Sequence, residues 1–214
     1  MKTVLILSGP THEYFDPVRF IGNASSGKMG KALAEEALKR GLHVDFISGP
    51  VPENNLPKVD ATPSSRFSIS NVTSAGEMLA AAQEKFSSAN LILFAAAVAD
   101  FQPAQKFAEK LPKTGTGFAI ELTPTPDIAA ILCAGKTPAQ TAIGFALQTH
   151  DGEKLAREKL ISKHLDGIVL NTPATLGAEN GMFTWIDSSG TEPWGLINKA
   201  ACAGKIFKKV IAQM

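Results

Sequence analysis

Cysteine is scarce in this chain of 214 residues: the two present, Cys133 and Cys202, show no paired spacing. That argues against a disulfide framework and against the Cys-x-x-Cys signatures of zinc sites, and it suits a reducing cytosol. Histidine is little richer, since His12, His43, His150 and His164 include no close pair, so a histidine-built metal site is not expected. Charge of one sign is missing too. Lys and Arg number 21 against 20 Asp and Glu, a formal charge of +1, which leaves no basic field for nucleic acid. Long apolar runs are absent: none approaches a membrane span, and MKTVLILSGPTHE turns polar too soon for a signal sequence. A cytoplasmic protein with no membrane partner is the expectation. Tyrosine occurs once, and Tyr14 has Val18 four residues on, not the Tyr-x-x-x-Lys pair of short-chain reductases.

What is present is an ordinary globular balance of 44% apolar and 19% charged residues, enough to bury one sizeable core. Short apolar runs at 3–7, 44–47, 91–99, 142–146 and 167–171 read as buried strands. Helical patterns at 28–41, 74–86, 126–135 and 152–164 lie between them, with Gly41 and Gly135 placed to stop their helices. This alternation predicts an α/β fold: a Rossmann-like, doubly wound, mostly parallel sheet with helices on both faces. Residues 182–194 read as a C-terminal hairpin and 196–213 as a last helix. With no internal repeat or linker, residues 1–214 read as one domain. Two long connections interrupt it, 8–27 and a Lys-, Pro- and Gly-bearing flap at 101–118, and such loops are more often functional than idle.

The segment GNASSGKMG (22–30) begins like the triphosphate loop G-x-x-x-x-G-K-[ST], but Met29 cannot supply the hydroxyl that motif places on magnesium. Ser25 or Ser26 is placed to cap a helix starting near Lys28. The reading that fits best keeps the phosphate and changes the geometry: the helix N-terminus offers free N–H groups and a positive dipole end to an anion. Gly27 lets a phosphate approach the backbone, and Gly30 lets the helix lie close to the sheet. A dinucleotide fits less well, because Ser25 stands at the first glycine of G-x-G-x-x-G and Asp45 falls within a strand.

GPTHEYFDPVRFIGNASSGKMG (9–30), SGPV (48–51), AAAVADF (95–101), the Lys-bearing flap, PDI (126–128), GFALQT (144–149) and DGIVLN (166–171) occur in an order and spacing that resemble phosphopantothenate–cysteine ligase over nearly the whole chain. DPVRFIxNxSSGKMG together with AAAVAD carries most of that resemblance. It implies the ligase half of a bifunctional bacterial protein, without its flavin-dependent decarboxylase half. The implied reaction joins 4′-phosphopantothenate to L-cysteine with a nucleoside triphosphate, CTP or ATP, and Mg2+ in a homodimer. It also implies roles for matching residues. Asn23 would hold the activated carbonyl region and assist amide formation. Ser25, Gly27 and Gly30 would cradle the triphosphate. Arg19 would cross to the neighbouring subunit's phosphopantothenate. Ala95, Ala96, Ala97 and Asp100 would line nucleotide and substrate pockets. Lys110, with Lys113 as a weaker partner, would stabilise charge on the reacting phosphate as the flap closes and excludes water. Pro126, Asp127, Ile128 and Phe145 would pack by the nucleotide, with Lys159 and Lys163, one helical turn apart, pointing toward it.

The chain departs from the family pattern at His12, Pro112, Thr125 and Gln148, which touch the nucleotide side and the flap. Two other readings stay open: an NAD(P)-binding reductase, on the likeness of the sheet, and a nucleotide-sensing relative without catalytic activity, on the departures at Thr125 and Gln148.

Overall fold

The structure is a computed structural model and describes residues 1–59, 64–113, 115 and 117–211. Its centre is an eight-stranded sheet built from β1 (Thr3–Ser8), β4 (His43–Ser48), β5 (Phe67–Asn71), β6 (Leu91–Phe94), β9 (Thr141–Leu147), β10 (Gly167–Asn171), β11 (Asn180–Asp187) and β12 (Gly190–Asn198). Two small antiparallel pairs stand apart from it, β2 (Glu13–Tyr14) with β3 (Phe20–Ile21) and β7 (Phe101–Pro103) with β8 (Leu122–Pro124). The helices are α1 (Lys28–Lys39), α2 (Ala75–Phe86), α3 (Ile128–Cys133), α4 (Gly152–Ser162) and α5 (Lys199–Val210).

The sheet order is β12-β11-β10-β9-β6-β1-β4-β5. Strands from β10 through to β5 pair in parallel, while β11 and β12 add an antiparallel hairpin. Alternation along each buried strand divides the core between the two faces. Val4, Ile6, Leu93, Ile143 and Val169 meet α1 and α5. Leu5, Leu7 and Ile92 meet α2 and α3, and Ile168 meets α4. Stacked Trp185 and Trp194 close the hairpin end of the first face, their ring centroids 5.7 Å apart. The fold is thus the expected Rossmann-like sheet with helices on both faces.

Several boundaries differ from the sequence reading. The run 91–99 leaves the sheet after Phe94, because the small residues from Ala95 onward follow the loop after β1 instead of a strand: Ala95 N–H donates to Leu7 at 2.9 Å and Ala97 N–H to Gly9 at 2.9 Å. The hairpin continues to Asn198, whose side chain caps α5, so the last helix begins three residues later than expected. Its expected end at 213 lies outside the described residues. Helix α3 starts at Ile128, with Asp127 accepting from the Ala130 N–H. The flap opens and closes as a strand pair, β7 with β8. No described helix is long and apolar enough to cross a membrane.

Candidate functional site

The chain runs from β1 to β4 and β5 on one side, then returns to β6 on the other. Loops leaving the carboxyl ends of β1 and β6 therefore diverge, the place where open parallel sheets bind ligands. A cleft of about 690 Å³ lies there.

Its first wall is the start of α1. Neither Ser25 nor Ser26 caps this helix. The N-cap is Gly27, in the left-handed region at φ 74°, and no side chain bonds the first turn. Ser25 Oγ instead accepts the Gly27 N–H at 3.4 Å. Ser25, Gly27, Lys28 and Met29 line the cleft, so an uncapped helix end, with its orphan N–H groups and positive dipole, borders it. A Cβ on Gly27 would stand 2.8 Å from Val51 Cγ1, so the position is closed to side chains by space as well as by φ. Gly30 is buried behind the cleft wall, where its backbone lies against Ser8 of β1. Lys28, the residue a triphosphate loop would aim at phosphates, is engaged with the cleft rim instead: its Nζ bonds Gly177 O at 3.0 Å and Glu179 Oε1 at 2.5 Å.

The floor is Ala95, Ala96, Ala97 and the residues leading to Asp100. Thr11 Oγ1 accepts the Ala99 N–H at 2.9 Å and pins this segment to the loop after β1. Asn23 bridges both loops, donating from Nδ2 to Val98 O at 2.8 Å and to Asp100 Oδ2 at 3.3 Å. Asp100 thus faces the amide of Asn23.

The far wall brings in Pro126, Asp127 and Ile128 at the head of α3, Phe145 on β9, Lys159 on α4 and Lys163 at its C-cap. Lys163 Nζ pairs with Asp127 Oδ2 at 3.0 Å, which joins two segments the sequence reading held separately. Two buried side-chain oxygens at this end, Asn171 Oδ1 and Thr175 Oγ1, have no hydrogen-bond partner among the described residues.

Arg19 and Lys110 are not among the residues lining the cleft. Arg19 forms an ion pair with Asp16 at 2.5 Å and donates from Nη2 to Leu111 O at 2.7 Å. Lys110 is exposed on the flap, beside Leu111. Around Leu111 the flap is strapped to the β2–β3 hairpin, and Phe107 N–H also donates to Phe15 O at 2.8 Å.

Sequence reasoning missed the groups that hold these walls. Lys199, buried at the start of α5, donates to Thr175 O at 3.1 Å and to Ala178 O, and burial pulls its pKa down. Glu13, buried in β2, accepts the Ala75 N–H at the start of α2 at 2.8 Å. Four bonds to N–H donors hold the carboxyl of Asp16 well below the usual carboxylate range, outweighing the desolvation that acts in the opposite sense. With a folded pKa so depressed, the stability this group lends is complete at neutral pH and is lost only as pH falls below the ordinary carboxylate range. Both thiols are inert at neutral pH, since burial pushes Cys133 up to about 11 and Cys202 up to about 12.

A Rossmann-like sheet with an uncapped helix end, two lysines and small-residue loops around one cleft defines a class of α/β domain whose cleft suits an anionic ligand. Over residues 1–214 the chain matches the family described as DNA/pantothenate metabolism flavoprotein, C-terminal domain, and it belongs to that family. It is 38% identical to the coenzyme A biosynthesis bifunctional protein CoaBC of Vibrio vulnificus strain CMCP6, over 98% of this chain and 52% of that protein. It is also 40% identical to a cysteine/cysteine sulfinic acid decarboxylase of an unknown prokaryotic organism, over 98% of this chain and 58% of that one. The chain thus spans somewhat more than half the length of these relatives. A crystal structure of the C-terminal domain of CoaBC aligns with a TM-score of 0.80 at 34% identity, covering 98% of this chain and 93% of that domain. This chain corresponds to that domain. The fold alone is shared with a Streptococcus pneumoniae flavoprotein, with a TM-score of 0.85 at 24% identity over 100% of both chains.

Proposed function

We propose that this domain ligates 4′-phosphopantothenate to L-cysteine at the expense of a nucleoside triphosphate. The substrate carboxylate attacks the α-phosphorus and pyrophosphate leaves, giving an acyl-nucleotidylate. The cysteine amine then attacks the acyl carbon, loses a proton and expels the nucleoside monophosphate. Correspondence to the CoaBC ligase domain supports this reading. The single observation that carries it is the uncapped start of α1 facing Lys159 and Lys163 across a cleft bordered by Asn23 and Asp100. Such a cleft meets the main demands of the chemistry, charge neutralisation around phosphates and alignment of two reactants.

In this reading Ser25 and Gly27 receive the triphosphate and Gly30 sets the helix that carries them. Phe145 and the Pro126–Ile128 turn pack the base. Asn23 holds the acyl carbonyl; its amide already reaches Val98 O and Asp100, so it is pre-oriented over the floor. Mg2+ would be held mainly by the nucleotide phosphates and would supply charge neutralisation; of the carboxylates lining the cleft, Asp100 would be the one to meet it, since Asp127 pairs with Lys163. CTP is the favoured nucleotide, with ATP as its competitor. Lys110, on the segment that leaves the cleft rim after Asp100, stabilises charge on the reacting phosphate. Arg19 serves the phosphopantothenate of a second copy in a homodimer, and the exposed apolar side chains of Val18, Phe20 and Phe101 near these hairpins suit such an association. A flavin-dependent decarboxylase, in the same chain or a separate one, would act on the product.

The test is pyrophosphate release with phosphopantothenate, comparing CTP with ATP, before and after cysteine. Release that requires phosphopantothenate, followed by amide product only with cysteine, is expected. Binding of NADPH without response to either nucleotide would favour a reductase, and nucleotide binding without pyrophosphate would favour a sensing role. Asn23→Asp is expected to leave pyrophosphate release within a few-fold while amide formation falls about a hundredfold, the usual scale for one lost polar group at a reacting carbonyl. Equal loss of both half-reactions would contradict the role given to Asn23.

A further inference from the structure

We propose that Asp16 is a positioning residue for the flap: it fixes the segment around Leu111 to the β2–β3 hairpin, so that Lys110 and Arg19 are held as one unit. The two oxygens of this buried carboxylate divide their work. Oδ1 accepts the N–H groups of Val18 at 2.9 Å and Arg19 at 2.8 Å, a local turn of the kind aspartate commonly makes. Oδ2 accepts Arg19 Nε at 2.8 Å and the Leu111 N–H at 3.3 Å, the latter from a residue 95 positions away. The turn does not need the second pair of bonds. Arg19 completes the strap by donating to Leu111 O at 2.7 Å, so both backbone groups of Leu111 are held by the Asp16–Arg19 pair. The guanidinium also lies over the Phe15 ring, 5.4 Å from its centroid. Lys110 immediately precedes the residue that is held.

Asparagine separates the two jobs. Asp16→Asn can keep an oxygen toward Val18 and Arg19 N–H, but its NH2 then confronts two donors, Arg19 Nε and Leu111 N–H. The turn survives and the strap breaks.

The inference rests on the ligase reading only where it concerns Lys110 chemistry, so the test has two arms. In limited trypsin digestion followed by mass spectrometry, Asp16→Asn is expected to speed cleavage after Lys110 by about tenfold or more, with sites elsewhere unchanged, because cleavage follows local opening. Arg19→Lys, which removes the fork but keeps the charge, is expected to act in the same direction if Asp16→Asn folds poorly. In the kinetic arm, run at saturating phosphopantothenate so that any loosening of Arg19 shows in KM and not in kcat, Asp16→Asn is expected to lower kcat for pyrophosphate release by about tenfold or more with nucleotide KM within twofold, and to cost no further kcat in a Lys110→Ala background, since residues acting through one another are not additive. Unchanged cleavage after Lys110 in both variants would overturn the strap. Additive kinetic losses would overturn the positioning role. Should Lys110→Ala alone leave pyrophosphate release untouched, the role of Lys110 in the ligase reading fails, and the digestion arm decides the strap by itself.

Discussion

Lys110→Ala is expected to slow pyrophosphate release by about 10²–10³-fold, the cost of removing one charged group that stabilises a transition state, while the fold remains intact. The side chain is exposed, so its loss creates no cavity and leaves no buried partner unsatisfied. The effect should fall on kcat more than on nucleotide KM, because Lys159 and Lys163 line the cleft independently of the flap and continue to attract the phosphates. Lys113 is the internal control. It lies two residues beyond the strapped Leu111, and Lys113→Ala is expected to change the rate by only a few-fold. The measurement is a single-turnover pyrophosphate assay at saturating CTP and phosphopantothenate. Equal, small effects of the two alanines would show that flap lysines do not touch the reacting phosphate.

Gly30→Ala is expected to destabilise the protein by about 1–3 kcal/mol, the usual cost of overpacking, although alanine is the better helix former by about 1 kcal/mol. Two effects compete here and space decides between them. A Cβ on Gly30 would stand 2.0 Å from Ser8 Oγ and 2.4 Å from Ser8 Cβ at the end of β1; the hydroxyl can rotate away, but the Cβ cannot move aside without shifting the strand. Gly76, in α2, is the matched comparison. Its nearest neighbour would be Ser74 Oγ at 3.9 Å, so Gly76→Ala is expected to gain stability by the propensity difference alone. Thermal unfolding reads both, at about 2–4 °C per kcal/mol for a chain of this size. Nucleotide affinity should fall with Gly30→Ala as the first turn of α1 lifts from the sheet, and Ser8→Gly in the same chain should restore both properties by vacating the space. If Gly30→Ala is as stable as the parent, the close approach of helix to strand is not what selects glycine here.

Much of this was legible in the sequence, and the remainder was hidden for reasons that can be named. Strands β1, β4, β6, β9 and β10 are apolar on both faces because helices cover both, so each stood out as a short aliphatic run. β5 escaped notice because FSISN is an edge strand with half-exposed residues, which reads as a polar loop. The strands β2, β3, β7 and β8 have two or three residues each, too few to carry a period. The start of α1 and the Ala95–Asp100 segment stood out because their motifs are contiguous, whereas Lys159 and Lys163 were singled out only by the family resemblance. The strap of Asp16 on Leu111, the bond of Glu13 to α2 and the grip of Lys28 on Glu179 were not, since they join residues 95, 62 and 151 positions apart. Local spacing carries no record of such partners. The same limit explains why Ser25 and Ser26 looked like caps: whether a serine turns back on its own helix depends on the path of the preceding loop.

The grips of Lys28 and Lys199 have one more consequence. Both ammonium groups close on the same connection after β10, one from the first helix and one from the last, and the second is buried there. That connection supplies Thr175, Leu176 and Gly177 to the cleft. The pocket rim is therefore fastened like a hoop whose two clasps come from α1 and α5, far apart in sequence. It can take its outline only with α5 docked, so ligand affinity should depend on a helix that does not itself enclose most of the cleft.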